Sequence, residues 1–358
     1  MRSMPEIDLA TPAGRRAWSR DLLQPFDDAK WDRLARILFA WQFERVPPYR
    51  RLCEAHGVRP ASLRAWKDIP AMPQQVFKHE RLYARGLPPP RVTYETSGTT
   101  TGEPGRQHLA DAIIYNAVAV EGARRAGLLD GRRPLHFLAT PPREAPHSSL
   151  SAMFDFWRRA HGKPGGWFGL LQDARDYTRL RDILTTQVRA DKPVAVAGTA
   201  FAFVQVLDAW NGPPLRLPPG SRLLETGGFK GRTREVPKAE LYAELGKTFG
   251  VPDENIWNEY GMSELSSQAY ARGTRGLHVT PPWARVIVVD PATGREVPMG
   301  RQGLVRWIDL ANTDSVMALQ TLDLAERTPS GFRLIGRLPR TEPRGCSLSV
   351  EDLLQRAA

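Results

Sequence analysis

Cysteine is nearly absent from this chain: Cys53 and Cys346 are the only two among 358 residues. Two cysteines cannot build a disulfide framework, which points to a reducing, cytoplasmic setting. No apolar run approaches the roughly 20 residues that a membrane-spanning helix needs. The opening Met1-Arg2-Ser3-Met4-Pro5-Glu6 has no apolar core of a signal peptide. Internal repeats and long low-complexity tracts are also missing. The basic residues form no stripe interleaved with aromatics and no nucleic-acid motif, so nucleic acid is not an expected partner. Acidic residues are outnumbered, 39 against 50 basic, for a net charge of +11. That surplus suits an acidic partner such as a nucleotide or carrier protein. It equally suits an Arg-rich surface, and the scatter of pairs such as Arg15-Arg16 and Arg158-Arg159 favours the surface reading.

What is present is a folding sequence. Hydrophobic residues make up 41% and there are ten tryptophans, enough for one large domain or two modest ones. Trp31, Leu34, Leu38 and Phe39 lie near helical spacing and predict a helix over residues 29–45, ended by Pro47-Pro48. After residue 100, strand and helix signals alternate. Strands are predicted at Leu135–Ala139, Pro193–Ala197, Ser221–Glu225 and Asn255–Glu259. Helices are predicted at Ser149–Ala160, Ala200–Trp210 and Lys238–Phe249. This alternation predicts an α/β layer with a largely parallel sheet. Beyond residue 280 the pattern turns to strands, at Trp283–Val289, Gly303–Leu310 and Gly331–Ile335, and predicts a smaller β-rich subdomain over residues 280–335. Leu348–Leu354 is a short helix candidate.

Three motifs carry chemistry. The first is Thr96-Ser97-Gly98-Thr99-Thr100-Thr101-Gly102-Glu103-Pro104, dense in hydroxyls and glycines. Such a loop can wrap N–H groups and hydroxyls around a polyphosphate. The Gly-Lys-Ser/Thr ending of a Walker loop is missing, which argues against a P-loop kinase or GTPase. The second is Asn258-Glu259-Tyr260-Gly261-Met262-Ser263-Glu264, at the end of a predicted strand, where open α/β sheets place ligands. Its aromatic ring can stack on a base, its hydroxyl can meet phosphate and its carboxylate can hold Mg²⁺. The third is Thr321-Leu322-Asp323-Leu324-Ala325, followed by Gly336-Arg337. An Asp at a strand end can accept hydrogen bonds from ribose hydroxyls, and Arg337 adds a charged donor.

These motifs, in this order and spacing, resemble those of the adenylate-forming superfamily from about residue 70 onward. The resemblance implies ATP-dependent activation of a carboxylate, in which an acyl-adenylate forms and pyrophosphate leaves. Val76-Phe77-Lys78, Thr100-Thr101-Gly102, Ala145–Leu150, Gly227–Gly231 and Arg344-Gly345-Cys346-Ser347-Leu348 narrow it to the LuxE-type acyl-protein synthetases. By that resemblance the fold is the N-terminal domain of an adenylate-forming enzyme, residues 1–335, with a short tail over 336–358. The sizeable C-terminal domain of common acyl-CoA synthetases, with its catalytic lysine, is expected to be absent, because only residues 338–358 follow Arg337.

The implied roles follow residue by residue. Thr96, Ser97, Thr99 and Thr100, with Gly98 and Gly102, fall to the β- and γ-phosphates. Glu264 falls to Mg²⁺, helped by Ser263. Tyr260 and Gly261, with Gly227 and Gly228, fall to adenine, and Asp323 to ribose. Lys230 and Arg337 are candidate cations for the α-phosphate in place of the usual lysine. His147 falls between ATP and the acyl pocket, or is a loop histidine bonded to backbone. Phe154, Phe156 and Trp157 either line that pocket or are ordinary core. Cys346 is the acyl acceptor, its thiolate favoured by neighbouring Arg340 and Arg344; Cys53 is structural. The expected reaction takes a carboxylic acid, a fatty acid by resemblance, to acyl-AMP, then to a thioester on Cys346, then to a partner protein such as a reductase. Two alternatives stay open. The acyl group can pass directly to coenzyme A, a carrier protein or an amine, or the chain can be a non-catalytic binding protein of the same fold.

Overall fold

The computed structural model describes residues 7–96, 104–131, 133–161, 165–169, 174–227 and 236–338. In chain order the helices are α1 (Pro12–Leu23), α2 (Asp28–Arg45), α3 (Pro47–Ala55), α4 (Ile113–Arg125), α5 (Ser149–His161), α6 (Ala174–Arg189), α7 (Ala200–Asp208) and α8 (Lys238–Phe249). The strands are β1 (Met72–Pro73), β2 (Val92–Glu95), β3 (Arg106–Leu109), β4 (Leu135–Leu138), β5 (Ala195–Thr199), β6 (Arg222–Thr226), β7 (Ile256–Tyr260), β8 (Ala269–Arg272), β9 (Ala284–Val289), β10 (Gln302–Asp309), β11 (Ala318–Thr328) and β12 (Gly331–Arg337). They fall into two compact units. One takes residues up to Val118, Met262–Ser267 and the chain from Val279; the other takes Ala119–Gly261 and Gln268–His278.

The second unit is built on the sheet β4-β5-β6-β7-β8. Its first four strands are parallel, and β8 closes it antiparallel to β7. Apolar residues fall on both faces of these strands because both faces are covered, with polar residues mainly toward the strand ends. Leu138, Val196, Leu223 and Ile256 pack with Leu180 and Leu184 of α6, Phe203 of α7 and Leu241 of α8. Phe137, pointing the other way, stacks on Phe154 of α5 with ring centroids 4.9 Å apart. Trp157 of the same helix donates its indole N–H to the Ala119 carbonyl at 3.0 Å. Phe154 and Trp157 are therefore packed core, and Phe156 is buried beside them. Thr199 caps α7 by accepting from the Ala202 N–H at 3.0 Å.

The first unit carries the sheet β1-β11-β10-β9, with β12 also on β11. Strand β11 is long enough to take two neighbours on one edge: β1 pairs at Leu319 and Gln320, and β12 from Asp323 to Thr328. Helix α2 buries Trp31, Leu34, Leu38 and Phe39 as the periodicity predicts. Pro47 both follows that helix and opens the next, at the first position of α3, where a missing N–H costs nothing. Cys53 of α3 is fully buried, and burial pushes its thiol up to about 12, which suits a structural residue. Parts of the described fold differ from the pattern read in the sequence, and the helix candidate Leu348–Leu354 lies outside the described residues. Asp323 sits inside β11 rather than at a strand end, because the β11–β12 hairpin runs on to Thr328 and Gly331. Helices α4 and α6 went unread: α6 carries arginines along its whole length, whereas α4 is largely apolar with its two arginines only in the last turn.

Candidate active site

The phosphate-loop candidate grows from the tip of a hairpin. Strands β2 and β3 pair antiparallel from Val92↔Leu109 to Glu95↔Arg106. One step further, the Thr96 N–H donates to the Gly105 carbonyl at 2.9 Å, and the Gly105 N–H donates to Thr96 Oγ1 at 2.9 Å. Thr96 thus clamps the neck of the loop with its own hydroxyl. Ser97, Gly98, Thr99, Thr100 and Gly102 lie outside the described residues, as do Gly228, Lys230 and Cys346.

Ser263 and Glu264 belong to the same unit as that hairpin. Ser263 Oγ donates to the Glu95 carbonyl at 3.1 Å, next to the loop's neck. The Glu264 carbonyl accepts from Asn312 Nδ2 at 2.8 Å. Asn312 is 0% exposed, and its carboxamide is fully used. Its Nδ2 also donates to the Val316 carbonyl at 2.8 Å, while its Oδ1 accepts from Gln107 Nε2 at 2.7 Å and Ser315 Oγ at 3.1 Å. Gln107 lies on β3, so one buried amide ties the Glu264 turn to the strand leaving the phosphate loop. Asp309 fixes the far side of the same turn. It accepts from the N–H groups of Ser266 at 3.0 Å and Ser267 at 2.8 Å, from Ser267 Oγ at 2.6 Å and from the Ala311 N–H at 3.0 Å. The Glu264 side chain is 8% exposed. Among the described residues no three His, Cys, Asp or Glu side chains converge as a metal cage. A lone carboxylate fits Mg²⁺ when substrate phosphates supply the other oxygens.

Asp323 and Arg337 are Cα partners across β11 and β12. The Arg337 Nε lies 3.7 Å from Asp323 Oδ1, with the arginine side chain 60% exposed and the aspartate buried. At that separation the charges attract without forming a hydrogen bond.

In the second unit, Thr226 ends β6, Glu259 stands one residue before the end of β7, and the two are Cα partners. Thr226 Oγ1 donates to Glu259 Oε2. Gly227 follows Thr226 with φ +71, a left-handed turn that glycine takes without strain. Tyr260 follows Glu259; it is buried and meets His278 edge to face at 5.9 Å. Gly261 has no room for a side chain, since an added Cβ would lie 2.3 Å from Glu259 Oε1. Behind them Glu225 accepts from Tyr242 Oη at 3.0 Å and Asn258 Nδ2 at 2.6 Å. Asn258 Oδ1 meets His278 Nε2 at 2.5 Å. Burial pushes Glu225 and Glu259 up to about 7 each, and holds His278 down at about 3 and so neutral. His147 is exposed in the turn before α5, next to Ser148, which caps that helix through the Ser151 N–H at 3.1 Å.

No family model matches this chain. Two curated proteins do. The long-chain-fatty-acid–luciferin-component ligase of Aliivibrio fischeri is 21% identical over 340 residues, 91% of this chain and 89% of that protein. Its counterpart from Vibrio harveyi is 20% identical over 334 residues, 89% and 87% respectively. Among solved structures, 2-hydroxyisobutyryl-CoA ligase with 2-HIB-AMP and CoA aligns at a TM-score of 0.60 and 18% identity, over 90% of this chain and 73% of that one. The fold is that of the adenylate-forming ligases. ATP-bound MatB from Rhodopseudomonas palustris also aligns, at a TM-score of 0.50 and 16% identity, over 72% of this chain. The chain spans about half of that MatB structure, the aligned share being 49%.

Within this adenylate-forming fold, three buried groups take no role of their own from the sequence: Asn312, Asp309 and Glu259, the last lying inside the second motif. Asp309 at the end of β10 and Glu259 near the end of β7 are acidic residues in largely buried strands, a pattern that marks either a bound partner or a site. Asn312 in Ala-Asn-Thr-Asp-Ser reads as an ordinary turn.

Proposed function

We propose that this protein activates a carboxylic acid with ATP and Mg²⁺, then carries the acyl group as a thioester on Cys346 to a partner protein. The observation that carries this reading is the hold on one turn from both sides: Ser263 bonded at the neck of the phosphate loop and Glu264 anchored through Asn312 to the strand that leaves it. The likeness to two fatty-acid–luciferin-component ligases over nine-tenths of the chain supports the acid and acceptor class.

In the first step a carboxylate oxygen of the acid attacks the α-phosphorus, and the bond to the bridging oxygen breaks, releasing pyrophosphate. The loop from Thr96 to Gly102 presents donors to the β- and γ-phosphates. Glu264 holds Mg²⁺, which neutralises phosphate charge when bound. Tyr260, Gly261, Gly227 and Gly228 receive the adenine, and Asp323 the ribose. Lys230 and Arg337 supply positive charge as it builds on the α-phosphate, and His147 flanks the acid. In the second step the Cys346 thiolate attacks the acyl carbonyl and AMP leaves. Residues 1–335 form the catalytic region and 336–358 the tail that brings in the thiol. Direct transfer to coenzyme A is the second reading, favoured by the alignment with 2-hydroxyisobutyryl-CoA ligase.

Intact mass after incubation with ATP, Mg²⁺ and a panel of carboxylic acids decides between them. A hydroxylamine-sensitive adduct that maps to Cys346 and is lost in Cys346→Ser is expected. Acid-dependent pyrophosphate release with no adduct, unchanged in Cys346→Ser, would transfer the case to an external thiol.

A further inference from the structure

The mechanism above leaves one cluster of buried side chains unused, at the ends of β6 and β7. Thr226 ends β6 and Glu259 stands one residue before the end of β7, ahead of the two turns proposed to receive the nucleotide, at Gly227 and at Gly261. One side chain, that of Glu259, bonds the residue ahead of the first turn and lies against the glycine of the second. Glu259 Oε2 accepts from the Thr226 hydroxyl. Glu259 Oε1 occupies the space beside Gly261, 2.3 Å from where a Cβ would stand. At 5% and 7% exposure, Glu259 and Thr226 make this bond out of reach of bulk water.

We propose that Glu259 is a positioning residue for the nucleotide: with Thr226 it latches the turn after β6 to the turn after β7, and ionisation of its carboxyl opposes binding. The inference rests on the nucleotide reading of those turns.

The charges around the latch explain its second property. Tyr270 of β8 is the Cα partner of Glu259 on its other side. Glu225, next to Thr226 on β6 and paired with Asn258 on the opposite face of the sheet, is near enough that its charge adds to the upward push of burial on Glu259. Lys238 and Tyr242 of α8 answer Glu225 instead, as does Asn258 of β7. His278 is bonded to Asn258 and is neutral. Among these groups the Thr226 hydroxyl alone bonds Glu259. The carboxyl therefore keeps its proton to about pH 7. Once ionised, it sets an unpaired negative charge beside the turns that would receive the adenine of a nucleotide that is itself a polyanion.

The test is calorimetric titration of the full chain with MgATP at about pH 6 and about pH 8.5, on wild type, Thr226→Val and Glu259→Gln. Thr226→Val keeps the side-chain shape and removes the donor; its Kd for ATP should rise about tenfold at both pH values. Glu259→Gln still accepts from Thr226 and cannot ionise. Between the two pH values the wild-type Kd should rise about tenfold more than that of Glu259→Gln. The comparison with Glu259→Gln also decides the matter if Thr226→Val fails to fold. Wild-type affinity in Thr226→Val, or equal pH slopes in wild type and Glu259→Gln, overturns the latch. A wild type that binds no ATP at either pH overturns the nucleotide reading and the latch with it, an outcome distinct from binding that ignores the latch.

Discussion

Asp309 and Glu259 are both buried carboxyls at or next to a strand end, and the two units treat them differently. Asp309, in the first unit, receives three backbone N–H groups and one hydroxyl. Glu259, in the second, receives one hydroxyl. Burial pushes both carboxyls up, but at Asp309 four donors oppose it and at Glu259 only one does. A well-supplied acid fixes a turn in one geometry. A thinly supplied acid holds its turn and remains able to change charge near neutral pH. The same contrast extends to the neighbours: Asn312 has every lone pair and proton spoken for, whereas Glu225 and Glu259 depend on one lysine and a few neutral donors.

The largest expected effect comes from breaking the satisfied side. Asn312→Leu keeps the volume and strips donors from the Glu264 and Val316 carbonyls and an acceptor from Gln107. Each buried orphan costs about 1–3 kcal/mol, so the loss should be about 4 kcal/mol in urea unfolding at unchanged m. A loss under about 1 kcal/mol would mean that water replaces the amide and the network is not what fixes the turn.

A smaller, pH-dependent effect sharpens the other side. Glu259 is raised from its ordinary 4.5 to about 7 in the folded chain. Its neutral form therefore stabilises the fold fully below pH 4.5, and that contribution is lost as pH rises through about 7. Glu259→Gln carries no such loss. The stability difference, mutant minus wild type, should grow from about pH 5 to about pH 7 and then level off, on the order of 2 kcal/mol. Parallel stability curves would place the wild-type carboxyl at its ordinary value and remove the contrast with Asp309.

Much of this was legible in the sequence. The apolar runs Leu135–Leu138 and Ala195–Ala197 and their spacing by helices announced a parallel sheet, because strands covered on both faces have no polar alternation to hide. Thr96, Ser263, Glu264, Asp323 and Arg337 stood out because hydroxyls, glycines and charges at strand ends are costly without a use. Asn312 did not stand out. Its importance lies in four partners drawn from residues 107 to 316, and no local pattern reports such a meeting. Asp323 was misplaced to a strand end for a related reason: only its pairing with β12 shows how far β11 continues. Glu259 sat in plain view inside the second motif, yet its role depends on Thr226, which is 33 residues away.

The central claim is that the turn held by Asn312 and Ser263 serves acid activation. Acid-dependent ATP–pyrophosphate exchange tests it most directly, run on wild type and Glu264→Gln with carboxylic acids of increasing chain length. The account predicts exchange in the wild type with at least one acid, and a fall of about a hundredfold or more in Glu264→Gln, the scale of losing one charge-stabilising group. No exchange with any acid, in a wild type that is folded and binds ATP, would contradict it.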